Sequence, residues 1–137
     1  MTDPRDWGAL LLRLTLGGLF LAHAGLKLFV FTPAGTAAYF ASLGLPPAFA
    51  YLTMTAEICG GLALIAGVYT RLVAPAMTSV LLGAIVFVHA ANGFWFTAKG
   101  GGWEYPAFWV VALLVQALLG PGLYALRLPG RLRLATA

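Results

Sequence analysis

The sequence has one cysteine, two histidines and only four acidic residues in 137. The single thiol, Cys59, sits inside an apolar run and can form no intrachain disulfide, no CxxC redox pair and no thiolate zinc cage. A buried free cysteine behaves as a small hydrophobe, so any redox chemistry has to run through a bound cofactor or a partner protein. The serines Ser42 and Ser79 lie in no nucleophile motif, and there is no aspartate beyond Asp6, which removes Ser/His/Asp catalysis. No GxGxxG and no P-loop occurs. His23 and His89 with a carboxylate are a weak metal set, because no single element carries HxxxH spacing; no metal is expected.

Charge is equally scarce. Charged residues make up 9% of the chain, against roughly 25% in a soluble domain. What fills the space is apolar: 61% of residues are hydrophobic and the mean hydropathy is +0.92. One domain of this size has too little interior to hide so many apolar side chains from water, so the solvent that fits is lipid. A bilayer core of about 30 Å takes about 20 apolar residues in helical form. Four stretches qualify, about 8–30, 48–69, 72–91 and 103–120, with Gly120-Pro121-Gly122 stopping the last. Pro75 and Pro106 are expected in first turns, where a missing N–H costs little. The expected fold is all-α: a single membrane domain over 1–137, a four-helix bundle with a short interfacial helix between helices 1 and 2.

The net charge of +4 does not mark a nucleic-acid binder, since the basic residues are scattered through apolar sequence instead of gathered on one face. They mark orientation. With four spans, Arg5, Arg71, Arg127, Arg131 and Arg133 fall on one side, with Arg13 just inside the membrane, and Lys99 falls on the other, with Lys27 near a span end. The Lys/Arg excess marks the cytoplasmic side, which predicts a multi-pass protein of the bacterial cytoplasmic (inner) membrane with both termini cytoplasmic. Ala22-His23-Ala24 has the A-x-A form of a signal-peptidase site, but Asp3 and Asp6 cancel the positive n-region and the apolar run continues past it, so it is expected to stay uncut.

The two outer loops are distinctive. Thr32 to Leu45 sets Ala37, Tyr39, Phe40 and Leu43 on a short helical pattern ended by Gly44 and Pro46-Pro47, which suits a helix lying flat in the interface. Asn92 to Tyr105 packs Phe94, Trp95, Phe96, Trp103 and Tyr105 around Gly100-Gly101-Gly102. Aromatics at that depth are ordinary belt residues, but three glycines let the backbone fold back, which anchoring alone does not need.

Ionisable groups inside a span are costly unless paired or turned inward, so Arg13, His23, Lys27, Glu57, His89, Asn92, Glu104 and Gln116 each require a reason. At about 100° per residue, Lys27 lies about 40° from both Arg13 and His23 around the first helix, so the three share a face. Glu57 falls near mid-membrane on the second helix, between the depths of Arg13 and His23, where it is expected to be protonated or to pair with one of those two cations. His89 and Asn92, three apart, share a face of the third helix, and Glu104 opens the fourth at the same outer level. Two readings stay open: interhelical clamps, or a site in the outer half of the bundle, closed by a mobile Gly100–Gly102 lid. Gln116 reads as glue. Gly17-Gly18, Ala22 and Gly25 on the first helix, with Gly60-Gly61, Ala63 and Gly67 on the second, suit close packing in lipid.

The stretches LLRLTLGGLFLAHAGLKLF, YFASLGLPP, AEICGGLALIAGVYTRLVA and GGWEYP, in that order from about Leu11 to Gly122, resemble the DoxX family of small four-helix bacterial membrane proteins. Motif by motif, Arg13, His23 and Lys27 match the family's R…H…K, Glu57 with Gly60-Gly61 its E..GG, and Trp103, Glu104 and Tyr105 its GGWEY. The related DoxD-type subunit belongs to thiosulfate:quinone oxidoreductases, so the resemblance implies a quinone-linked oxidoreductase subunit acting in thiosulfate or other sulfur-compound oxidation beside a redox partner protein. On that reading His23, Glu57, His89 and Glu104 handle protons, while Arg13, Lys27, Asn92, Trp95, Trp103 and Tyr105 hold the quinone. The alternative is a non-enzymatic carrier or scaffold that docks a partner or a small anion, which the basic face of the first helix would favour. The apolar surface of so small a bundle is compatible with a homodimer.

Overall fold

The computed structural model describes residues 3–126; Arg127, Arg131 and Arg133, counted above toward the cytoplasmic charge, lie outside the described residues. Helix α1, Pro4–Gly25, starts where Asp3 caps it: the carboxylate accepts the Arg5 N–H at 2.9 Å, and Pro4 opens the first turn. It continues into a five-residue π-helical turn, Leu26–Val30, closed by Phe31 N–H to the Leu26 carbonyl at 2.9 Å. Thr32 breaks the run at φ 63° and caps α2, Pro33–Ser42, by accepting the Gly35 N–H at 3.1 Å. After Pro46-Pro47 comes α3, Ala48–Ala66. Gly67 ends it in the left-handed region at φ 76°, with Val68 N–H bonded to Ala63 O at 2.9 Å, the arrangement that favours glycine after a helix. Helix α4, Thr70–Ala84, also passes into a π-helical turn, Ile85–His89, and then a 3-10 turn, Ala90–Asn92. Helix α5 is Glu104–Leu119. Among the described residues there is no strand.

The helices match the expected stretches except at their ends. The second stops at Ala66, three residues early, because Gly67 turns the chain. The third starts at Thr70 and not at Leu72, so Pro75 is not a first-turn residue but lies inside α4. Lacking an N–H, it leaves the Arg71 carbonyl without its helical donor. Pro106 does occupy the first turn of α5.

Helix α1 packs on α3, α3 on α4, α4 on α5 and α5 back on α1, with α2 laid against α3. The core between them is Leu16, Phe20, Leu64, Ala74, Met77, Leu81, Trp109 and Leu113. Gly60-Gly61 is a point of close approach. A Cβ on Gly61 would meet the Gly17 carbonyl at 2.9 Å, and one on Gly60 would collide with Met77 of α4. The dipeptide thus lets α3 approach two neighbours at once. Gly18 and Gly25 face open space and take no part.

Among the described residues, three helical runs are long and apolar enough to cross a membrane: Pro4–Val30, Ala48–Ala66 and Thr70–Asn92. Helix α5 is shorter, at 16 residues. Leu11, Leu52, Leu62, Leu72, Val86, Phe108 and Leu118 are each more than half exposed, an apolar exterior that water would not tolerate and lipid requires. One end of the molecule gathers the start of α1, the turn after α3 and the segment after α5: Leu123 N–H reaches Asp6 O at 3.4 Å and Leu126 N–H reaches Ala66 O at 2.9 Å. The opposite end carries α2 and the loop 93–103.

Candidate functional site

The first end is fastened by arginines. Arg13 is 1% exposed and does not pair with Glu57. Its guanidinium donates to the carbonyls of Leu64 at 3.3 Å and Ile65 at 3.0 Å, the last turn of α3, and to Leu123 O at 2.9 Å. Carbonyls at a helix C-terminus lack intrahelical donors and carry the negative end of the dipole, so a buried cation is well placed there. Arg71 of α4 does the same for α5, donating to Ala117 O and Leu118 O, both at 3.2 Å. Gln116, expected as interhelical glue, instead closes its own helix, its amide donating to Gly120 O at 2.7 Å.

Register explains why Glu57 finds another partner. Gly17 faces Gly61 and Arg13 reaches Ile65, so α1 and α3 are antiparallel with Glu57 level with Leu21. Arg13 lies about 12 Å away along the axis. Lys27, on the π-helical turn, reaches back instead: its Nζ sits 2.7 and 2.9 Å from the two Glu57 oxygens, with side-chain exposures of 18% and 5%. This is the one ion pair among the described residues.

That pair forms one pole of a partly open cavity of about 300 Å³ lined by α1, α3, α4 and α5. His23 lines it two residues from the level of Glu57, its ring edge-on to Trp109 at 5.2 Å between centroids. Among the described residues the His23 imidazole has no hydrogen-bond partner. Trp109 is 4% exposed, and its indole N–H likewise has none. Val80, Leu81 and Ala84 of α4 give an apolar wall, while Tyr105 and Phe96 add aromatic surface. The outcome is a largely apolar slot with a charged pole and an imidazole, walled in part by a tryptophan whose buried N–H has no partner among the described residues.

The loop 93–103 closes the slot. Gly101 and Gly102 line it, as does His89. The His89 Nδ1 atom is 2.8 Å from Gly101 O, and the Asn92 amide donates to the same oxygen at 2.9 Å. The loop was expected to be a mobile lid; it is latched onto the end of α4 by two side chains and by its own bonds, among them Gly102 N–H to Trp95 O and Trp103 N–H to Gly93 O. A Cβ on Gly102 would strike the carbonyls of Gly93, Phe94 and Trp95 together, which is why glycine stands there.

Of the residues singled out from sequence, His23, Lys27, Glu57, His89 and Tyr105 share this cavity. Asn92 serves it indirectly through the latch. Arg13 lies at the opposite end. Trp95 is 66% exposed, and Trp103 stacks edge-on against Phe94 at 4.8 Å. Glu104 turns outward, its Oε1 accepting the Phe96 N–H at 3.0 Å; five residues on, about 140° around α5 at about 100° per residue, Trp109 faces inward. Sequence reading passed over Trp109, although a tryptophan inside an apolar helical stretch, away from the ends where interfacial tryptophans are enriched, was a usable signal. It also read Lys27 for its charge and not for its reach. No group of three or more His, Cys, Asp or Glu residues that could hold a metal occurs among the described residues.

The chain's relatives bear on these residues. A family model, DoxX, matches residues 8–90, which takes in Arg13, His23, Lys27, Glu57 and His89 but not the GGWEYP loop or α5. A Bacillus subtilis (strain 168) protein named "Putative oxidoreductase CatD" is 38% identical over 88 residues, 64% of this chain and 64% of that protein. The chain therefore spans under two thirds of the length of that curated relative. No solved structure matches it. With more than half its length covered by the family model, and with helices built to sit in lipid, this membrane protein belongs to the DoxX family.

Proposed function

We propose that the protein is the quinone-binding membrane subunit of an oxidoreductase system, and that the 300 Å³ cavity holds the quinone ring. The observation that carries this reading is the gathering around one cavity of the Lys27–Glu57 pair, His23 and Trp109, whose buried N–H has no partner among the described residues. A quinone ring is flat and apolar with carbonyl acceptors at opposite edges. The cavity is at the small end of ligand sites, which run from about 300 to 1,000 Å³, room for a ring and not for an isoprenoid tail. When bound, a quinone supplies two-electron, two-proton chemistry. The chain's own part is to orient it: Trp109 Nε1 and Lys27 Nζ donate to carbonyl oxygens, Tyr105 and Phe96 cover a face, and the His23 ring and the Glu57 carboxylate hold protons at the cavity wall. The name of the Bacillus relative supports an oxidoreductase association, and sulfur compounds are the donor class to test first. An anion carrier is less well supported, since Arg13 is engaged by carbonyls and Lys27 by Glu57.

The test is binding. A short-chain quinone titrated into purified protein is expected to bind with micromolar affinity, and Trp109→Phe to weaken it about tenfold, the equivalent of one net hydrogen bond. No binding by the wild type, or unchanged affinity in the variant, would refute the assignment.

In the same reading α5 crosses with α1, α3 and α4 to make four spans, α2 lies in the outer interface, and the arginine-fastened end faces the cytoplasm of a bacterial inner membrane. Cysteine at Thr97 should then react with an impermeant thiol reagent applied to intact cells, and cysteine at Leu126 only after lysis. The opposite pattern inverts the topology.

A further inference from the structure

Beside the slot, on the outer flank of α5, lies a second and shallower hollow of about 450 Å³. Four aromatic side chains, Phe94, Phe96, Tyr105 and Phe108, wall it, and the Glu104 carboxylate stands among them. An interfacial aromatic belt accounts for rings at this level, but not for an anion set between them. Glu104 suits the first turn of α5, where the helix dipole favours negative charge, and one of its oxygens accepts the Phe96 N–H. The other oxygen has no hydrogen-bond donor, and no cation lies within 4.0 Å of the carboxylate, among the described residues. Aromatic faces carry negative potential, as the carboxylate does, and aromatic rings gathered around a carboxylate attract an organic cation and repel an anion. Two of the rings are held in place before any ligand arrives. Phe94 is wedged edge-on against Trp103 at 4.8 Å and Trp95 at 5.0 Å, and Tyr105 lies against Trp109 at 5.9 Å.

We propose that this hollow binds the ammonium headgroup of a phospholipid of the phosphatidylethanolamine type. The argument for a lipid over a soluble amine is position. Phe108 is 72% exposed on the apolar flank of α5, and Phe96 is 64% exposed at the loop, so the hollow opens where acyl chains lie along the helix and headgroups lie at its mouth. Carboxylate and rings would hold the ammonium while the phosphate stays in the interface. The hollow shares Phe96 and Tyr105 with the quinone slot, but neither His23 nor Glu57 contributes to it, and Glu104 and Phe108 line the hollow and not the slot.

Native mass spectrometry of the protein released from micelles holding equal phosphatidylethanolamine and phosphatidylglycerol tests the proposal. The wild type should retain the ethanolamine lipid over the glycerol lipid by about tenfold, the size expected of two exposed cation–aromatic contacts. Glu104→Gln keeps an acceptor for the Phe96 N–H, and Phe108→Leu keeps the apolar volume; each should bring the ratio close to one while thermal stability stays at the wild-type value. Equal retention of the two lipids by the wild type, or a preference that survives both substitutions, overturns the proposal. So does displacement of the bound lipid by millimolar free ethanolamine, which would assign the hollow to a soluble amine.

Discussion

Arg13→Ala is expected to lower the unfolding free energy by about 4 kcal/mol, within the range of a few kcal/mol set by leaving several buried acceptors unpaired at about 1–3 kcal/mol each. The guanidinium serves three carbonyls from two segments at once: Leu64 and Ile65 at the end of α3, and Leu123 beyond α5. Alanine also leaves a void at a position that is 1% exposed. Arg13→Lys should recover only part of the loss, because one ammonium cannot span three acceptors as a planar fork does. Unfolding followed by far-ultraviolet circular dichroism during titration of mixed micelles with SDS would measure it. The same experiment separates this role from pairing with Glu57. Arg13→Ala and Glu57→Ala should add to within about 0.5 kcal/mol, as independent sites do. A coupling well above that would mean the two charges interact after all.

Coupling is expected where the structure puts it. Lys27→Met or Glu57→Gln alone should cost about 3 kcal/mol, since removing one member of a buried pair strands the other. The double variant Lys27→Met, Glu57→Leu should regain most of that, because two apolar side chains leave no stranded charge. Lys27 is only 18% exposed and Glu57 5%, so solvent screening should not erase the effect as it does for surface pairs. Quinone affinity in the double variant supplies a second readout: it should stay low although stability returns, if the pair is a pole of the binding slot. Single-variant losses under 1 kcal/mol, or full affinity in the double variant, would contradict this account.

The apolar runs and the cost of charge in lipid made the helices, and the convergence of His23, Glu57 and His89, readable from the sequence. Partnership was not readable. Which cation meets Glu57 depends on the antiparallel register of α1 on α3, which is fixed by Gly17 backing onto Gly61; angles around one helix say which residues share a face, not which level they meet on the next. The arginine caps have no sequence signature, because a carbonyl acceptor belongs to every residue type. Pro75 was misplaced because a proline is informative about a helix start only when nothing before it helps to begin the helix, and here the left-handed Gly67 and Tyr69 end one helix and release the next at Thr70. Glu104 and Trp103 were drawn inward by sharing a level with His89; the folded-back loop turns them out.

The two π-helical turns, Leu26–Val30 and Ile85–His89, bear on how such a site arises in lineages. Each turn accommodates one more residue than an α-helical turn would, and each carries a cavity residue, Lys27 in one and His89 in the other. A helix can gain one codon there and leave everything before it in register, since the surplus is absorbed as a local widening of the coil. The reach of Lys27 to Glu57 and of His89 to the loop is thus separable from the packing of the bundle beneath. A chain could acquire or lose either polar group by a single-residue insertion or deletion, with Gly17, Gly61 and the two arginine-capped helix ends undisturbed.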